Sequence, residues 1–122
     1  MTRNMTPQER TAGEPIRPVN GPVTLINSFT VPADRDDAFH AMWTETSMYF
    51  RQRPGFVSLR LHRAVNPDAT YRWVNVARWA TEADYRSGHL TDEFRRLVTQ
   101  EPWQEFPNSP SIYEVVTAVG GE

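Results

Sequence analysis

The chain has 122 residues, with 13 basic residues against 15 acidic ones and a net charge of −2. That length allows one hydrophobic core, and the charge balance gives no electrostatic footprint for nucleic acid or an anionic membrane. There is no cysteine, and every basic residue is arginine, which excludes disulfides, thiolate nucleophiles, iron–sulfur clusters, cysteine-ligated zinc and a Schiff-base lysine.

The opening "MTRNMTPQERTAGEPIRP" lacks the apolar core of a secretory signal. No run approaches the roughly 20 apolar residues of a membrane helix. The expectation is a soluble, cytoplasmic protein. Residues 1–22 contain four prolines, two glycines and few apolar residues, too little buried surface to offset ordering entropy. They predict a flexible arm preceding one domain at 23–119, with 120–122 as a tail.

"VTLINSFTV" (23–31) alternates as a strand with Val23, Leu25, Phe29 and Val31 on one face and Asn27 set among them. Pro32 opens a helix where its missing N–H costs nothing, and Asp34, Asp36 and Asp37 suit the positive end of the helix dipole. Phe39, Met42, Trp43, Thr46 and Phe50 follow at helical spacing as one buried stripe. "RPGF" (53–56) ends that helix. "FVSLRLHRAV" reads as a second strand with Val57, Leu59 and Leu61 inward. After the "NPDAT" turn, "YRWVNVARW" (71–79) reads as a third, placing Tyr71, Trp73, Asn75, Ala77 and Trp79 on one face.

Thr81 and Thr91 are N-cap candidates for "EADYRSGH" and "DEFRRLVTQ", so the second helix is expected in two pieces broken near Gly88 and His89. "EPWQEFPNSP" reads as a proline-rich loop carrying Trp103 and Phe106, and "SIYEVVTAV" (111–119) as a fourth strand. The order βαββαβ is that of a ferredoxin-like α+β fold, a four-stranded antiparallel sheet with its helices on one face. The other face would present Ile26, Val74 and Val76 beside Arg72 and Arg78. Covering it calls for a homodimer packed sheet to sheet.

No glycine-rich nucleotide loop or nucleophile elbow is present. His40, His62 and His89 lack metal-ligand spacing, so no metal site is expected. What remains is a set of amides and aromatics facing the helices: Asn27 and Asn75, with Trp79, Tyr71, Trp73, Trp43 and Phe39 as walls. Two readings stay open. One is an ordinary aromatic core whose asparagines bond each other or a backbone carbonyl. The other is an apolar pocket with a few convergent polar groups, fit for a flat aromatic molecule.

The combination "INSFTVP", "PGFVSLRLHR", "YRWVNVARW" and "TEADY" resembles the antibiotic biosynthesis monooxygenases, small cofactor-independent oxygenases of aromatic polyketide pathways. The resemblance covers about residues 23–119 and implies a dimeric α+β barrel. In its nogalamycin-type members two asparagines and a tryptophan surround the substrate, which implies Asn27, Asn75 and Trp79 as catalytic residues. A tyrosine six residues after that tryptophan, here Tyr85, lines the site in actinorhodin-type members. His89 and Trp103 complete the expected substrate-binding set. A further tyrosine and arginine of those members find Ala64 and Thr99 at the corresponding offsets. The tryptophan and iron-binding histidine of heme-degrading relatives fall on Gly88 and Val98, which argues against heme degradation.

The resemblance thus implies O2 as co-substrate, no cofactor, and oxidation of an anthrone or phenol of polyketide origin to a quinone. A non-oxidative polyketide cyclase or isomerase, or a non-catalytic ligand-binding dimer, would use the same wall residues.

Overall fold

The computed structural model describes residue 13 and residues 19–121; the expected flexible arm lies mostly outside the described residues. Of its last residues, Val19 packs against the core. The elements are β1 (Val23–Phe29), α1 (Asp36–Phe50) entered through a 3₁₀ turn at Ala33–Arg35, β2 (Phe56–Arg63) and β3 (Trp73–Trp79). They continue with α2 (Glu82–His89), α3 (Asp92–Val98), a single turn α4 (Glu101–Gln104) and β4 (Asn108–Tyr113). All strand pairs are antiparallel, in the order β2-β3-β1-β4. This is the ferredoxin-like α+β arrangement read from the sequence.

Alternation builds the inner face of the sheet. Val23, Leu25, Asn27 and Phe29 are buried on β1, and Trp73, Asn75, Ala77 and Trp79 on β3. The register sets these residues directly opposite one another: Val23 faces Trp79, Leu25 faces Ala77, Asn27 faces Asn75 and Phe29 faces Trp73. Against this face α1 buries Phe39, Trp43, Thr46, Tyr49 and Phe50. The broken second helix adds Tyr85, His89, Phe94 and Val98. Both predicted caps are formed, the Thr81 hydroxyl accepting from Asp84 N–H and the Thr91 hydroxyl from Phe94 N–H, each at 3.0 Å.

Four expectations change. Val57 is not inward: a β-bulge between Phe56 and Ser58 makes it the extra residue and leaves it exposed, while Phe56 takes the inner position across from Trp79. Tyr71 lies before β3 begins and is exposed, because the hairpin's pairing stops at Arg63 and Trp73. The 101–110 segment is not a loop: it forms α4 and then starts β4 at Asn108, three residues earlier than expected. β4 also ends at Tyr113 rather than residue 119, since its partner β1 has its last pair there, Thr24 with Tyr113. Pro110 is tolerated because β4 is an edge strand.

Gly55 is required at the α1–β2 turn. Its φ is +81°, and a Cβ there would lie 2.2 Å from the Asp84 carboxyl group.

Candidate functional site

The inner face divides into two halves. At one end Phe29, Phe39, Trp73 and Phe106 form an aromatic cluster, with Phe29–Phe39 and Phe39–Trp73 ring centroids 4.9 and 5.1 Å apart. Asp36, in the first turn of α1, binds this end to β3. It accepts two hydrogen bonds from the Arg72 guanidinium and one from Trp73 Nε1, all at 2.8 Å. Those bonds hold the Asp36 carboxyl at a pKa of about 2, Arg72 being the largest cause and burial opposing it. The indole of Trp73 is thereby committed, and neither Trp73 nor Phe39 lines a cavity described below. With Tyr71 exposed, three of the expected wall residues stand outside the site: two belong to the structural half, and one lies at the surface.

The other half contains two small cavities between sheet and helices. The first, about 30 Å³, is lined by residues that include Asn27, Trp43, Tyr85, His89, Trp103 and Asn108. The second, about 10 Å³, is lined by residues that include Asn75, Trp79, Phe56 and His89. Leu25, Phe50 and His89 border both. The structure therefore brings Asn27, Asn75, Trp79, Tyr85, Trp43, His89 and Trp103 into one region.

The polar atoms of this region are unusually underused. Asn27 Oδ1, Asn75 Oδ1, Asn108 Oδ1, Trp43 Nε1 and Trp79 Nε1 are buried without a hydrogen-bond partner. Buried polar groups are ordinarily satisfied, and an unpaired one costs about 1–3 kcal/mol. The facing asparagines do not satisfy each other: neither side-chain oxygen receives a donor. Rotation of an amide about its last torsion exchanges O for NH₂, so each asparagine can meet either a hydroxyl or an oxyanion. The indoles can only donate.

Other groups in the region are committed to structure. Trp103 Nε1 donates to Thr46 Oγ1 at 3.0 Å, and Thr46 donates to Met42 O at 3.1 Å. Tyr49 donates its hydroxyl hydrogen to Gly88 O at 2.6 Å and lies in hydrogen-bond contact with Thr91 Oγ1. Gly88 itself permits the approach of α2 to the sheet, since a Cβ there would lie 2.8 Å from Trp79 Cη2.

His89 sits at the C-terminal end of α2, its ring 4.3 Å from Tyr85, 4.9 Å from Phe50, 5.0 Å from Phe94 and 5.6 Å from Trp79 between centroids. Nδ1 lies 2.8 Å from Tyr85 O. A carbonyl can only accept, so the proton is on Nδ1 and the ring's lone pair on Nε2. Burial pushes the His89 pKa down to about 4; the Tyr85 carbonyl raises it slightly and the Arg86 charge lowers it further. The imidazole is neutral near pH 7.

Sequence reasoning missed Asn108, because a segment read as loop concealed its inward alternation with Pro110 and Ile112. It also missed the unused indole of Trp43, which helical spacing alone presents as core. Among the described residues, no group of three or more His, Asp or Glu side chains could hold a metal ion. No described helix is long and apolar enough to cross a membrane.

Comparison with known proteins identifies the family. The profile of the family described as "Antibiotic biosynthesis monooxygenase" matches residues 22–109. The deoxynogalonate monooxygenase of Streptomyces nogalater is 30% identical over 102 residues, covering 81% of this chain and 72% of that protein. SnoaB, a cofactor-independent oxygenase from Streptomyces nogalater, superposes with a TM-score of 0.71 at 22% identity, over 84% of this chain and all of that one. The heme-degrading protein Rv3592 of Mycobacterium tuberculosis shares the fold, with a TM-score of 0.63 at 23% identity over 83% of this chain and 98% of that one. This chain belongs to the antibiotic biosynthesis monooxygenase family.

Proposed function

We propose that the protein is a cofactor-independent monooxygenase that oxidises an anthrone or phenol of aromatic polyketide type to a quinone with O2. The observation that carries this reading is the facing pair Asn27 and Asn75, whose buried side-chain oxygens have no partner, with the unused indole N–H of Trp79 on the same face. Unpaired amides and indoles inside an aromatic wall suit a flat substrate that carries oxygen substituents and becomes an anion.

Such a substrate can supply the electrons itself. Loss of a proton from the anthrone CH₂ gives an enolate, which passes one electron to O2. Recombination of the radical pair forms a C–O bond and a peroxide. Cleavage of the O–O bond with loss of the second C–H proton leaves a carbonyl and water, so one O2 is consumed per CH₂ oxidised. Amide N–H groups of Asn27 and Asn75 and the Trp79 N–H would stabilise the developing oxyanion; one preorganised donor of this kind is typically worth about 10²–10³ in rate.

The test is O2 uptake by purified, metal-analysed protein with 1,8-dihydroxyanthrone, with ¹⁸O₂ label followed into the product by mass. Incorporation of one labelled oxygen per turnover is the expected result. A product of unchanged mass would indicate a cyclase or isomerase instead, and activity abolished by a chelator would overturn cofactor independence.

We further infer a homodimer with a second copy on the outer face of the sheet. Ile26, Val74 and Val76 are only half-buried there, and beyond the edge strand β4 the residues Val115, Val116 and Val119 are exposed. A monomer at micromolar concentration in sedimentation equilibrium would refute it.

A further inference from the structure

We propose that His89 is the general base of the oxidation, its Nε2 taking the proton from the substrate carbon that becomes the carbonyl. The proposal rests on the oxygenase reading above and assigns the one step that the amides and indoles cannot perform.

The argument is one of placement and elimination. Removing a C–H proton needs a group with an available lone pair within reach of the carbon. Asn side chains are not basic at neutral pH, and indole N–H groups only donate. Among the described residues that line the two cavities there is no carboxylate, and the titratable side chains are Tyr85 and His89. The Tyr85 hydroxyl would have to lose its own proton before it could take another, whereas a neutral imidazole already offers a lone pair. His89 borders both cavities, the one beside Asn27 and the one beside Asn75 and Trp79. A substrate whose oxygens reach both asparagines would therefore lie against this ring.

The local structure also prepares the imidazole for the task. Its Nδ1–H is used by Tyr85 O at 2.8 Å, which fixes the tautomer and leaves Nε2 as the basic atom. Phe50 from α1, Trp79 from β3 and Phe94 from α3 pack the ring and bring no charge to it. From its own helix Tyr85 packs on it, and Arg86 contributes a positive charge. That surrounding keeps the ring neutral, with its Nε2 lone pair unprotonated at neutral pH, while lowering its proton affinity. The imidazolium formed on proton transfer is paired at once with the enolate, which offsets its cost in a buried site.

The proton balance closes over one turnover. His89 takes the first C–H proton and returns it to the outer peroxide oxygen after O2 has added. It takes the second C–H proton as the O–O bond breaks, and gives it to the departing hydroxide as water. The histidine ends neutral, and no external reductant is needed.

The experiment compares wild type with His89→Asn, whose amide can keep the bond to Tyr85 O but has no basic nitrogen. With 1,8-dihydroxyanthrone at pH 6, kcat should fall by about 10²–10⁴-fold while substrate binding, read by tryptophan quenching, persists. The deficit should shrink as the pH rises into the range where the substrate ionises itself, because the enolate then arrives already formed. An unaltered rate, or a deficit constant across pH, would overturn the assignment and leave His89 a packing residue. Should His89→Asn fail to fold, His89→Gln is measured in the same way; if that also fails, the wild-type kcat/KM profile decides: an acid limb near about pH 4 is expected from the His89 pKa, and a profile that stays flat down to about pH 3 overturns the base. If wild type binds the anthrone yet consumes no O2, the oxygenase reading itself falls and takes the base with it. An active wild type beside an equally active variant removes only the base.

Discussion

Replacing Asn75 by leucine separates a structural amide from a functional one. Asn75 is 2% exposed, and its Oδ1 has no donor although Asn27 stands directly across the ladder. Leucine keeps the same branching and the same number of side-chain heavy atoms and is somewhat bulkier, so the swap leaves no cavity and the adjoining space of about 10 Å³ takes up part of the added volume. Removing an unpaired buried acceptor recovers about 1–3 kcal/mol of desolvation, against which any bond made by the amide NH₂ would give back about 1 kcal/mol. The expected net change is therefore between zero and a gain of about 2 kcal/mol. Urea unfolding followed by tryptophan fluorescence measures it, with ΔG from linear extrapolation. In parallel, O2 uptake with the anthrone should fall by about 10²–10³-fold. A variant destabilised by more than about 1 kcal/mol would show that the amide holds the core together, and the argument from unpaired atoms would fail.

Further predictions concern pH and packing. His89 has its folded pKa lowered to about 4, against an ordinary value of 6.5; its contribution to stability is thus complete above pH 6.5 and is lost as pH falls from there through 4. The loss should reach about 2 kcal/mol by pH 5, a drop of roughly 8 °C in melting temperature that is absent in His89→Asn; identical curves for the two proteins would contradict the burial. The Asp36 carboxyl, lowered from 3.8 to about 2, stabilises the fold above pH 3.8, and that contribution disappears as pH falls through 2. Being partly open to solvent, it should be worth about 1–2 kcal/mol at pH 7, which Asp36→Ala tests by chemical unfolding. Gly88→Ala drives a methyl group to 2.8 Å from Trp79 Cη2. Overpacking of about 1–3 kcal/mol should outweigh the gain of up to about 1 kcal/mol in helix propensity, and near-ultraviolet circular dichroism should report the displaced indole.

Most of the architecture was legible because it is written in periodicity. The alternation in β1 and β3 and the helical spacing of Phe39, Trp43, Thr46 and Phe50 each expose one buried face, and Thr81 and Thr91 announce their caps. Where the reading failed, pairing rather than local pattern decided. Val57, Leu59 and Leu61 alternate as well as any inward row, but the bulge shifts the first of them to Phe56. Tyr71 belongs to the same alternation as Trp73, yet no backbone partner extends that far. The valines after Tyr113 look like a strand and lie beyond the last pair with β1. At the site the pattern could place Asn27 and Asn75 on one face, but not show that their oxygens stay unpaired. Nor could it distinguish Trp73, whose N–H is consumed by Asp36, from Trp79, whose N–H is not.

That last distinction organises the molecule. At the Phe29–Trp73 end, polar groups are spent on structure, with Asp36 joining α1 to β3. Further along the same strands Asn27, Asn75 and Trp79, with Trp43 facing them from α1, keep buried polar atoms without a partner. Cavities of about 30 and 10 Å³ are far below the several hundred Å³ that surround a typical ligand, so a tricyclic substrate must displace side chains to enter. α1 is anchored to the sheet through Asp36, whereas the break between α2 and α3 is joined to α1 through the Tyr49 hydroxyl at Gly88 and Thr91. Under the proposed oxygenase reading, a substrate seated between Asn27 and Asn75 would lie against α2, which carries Tyr85 and His89.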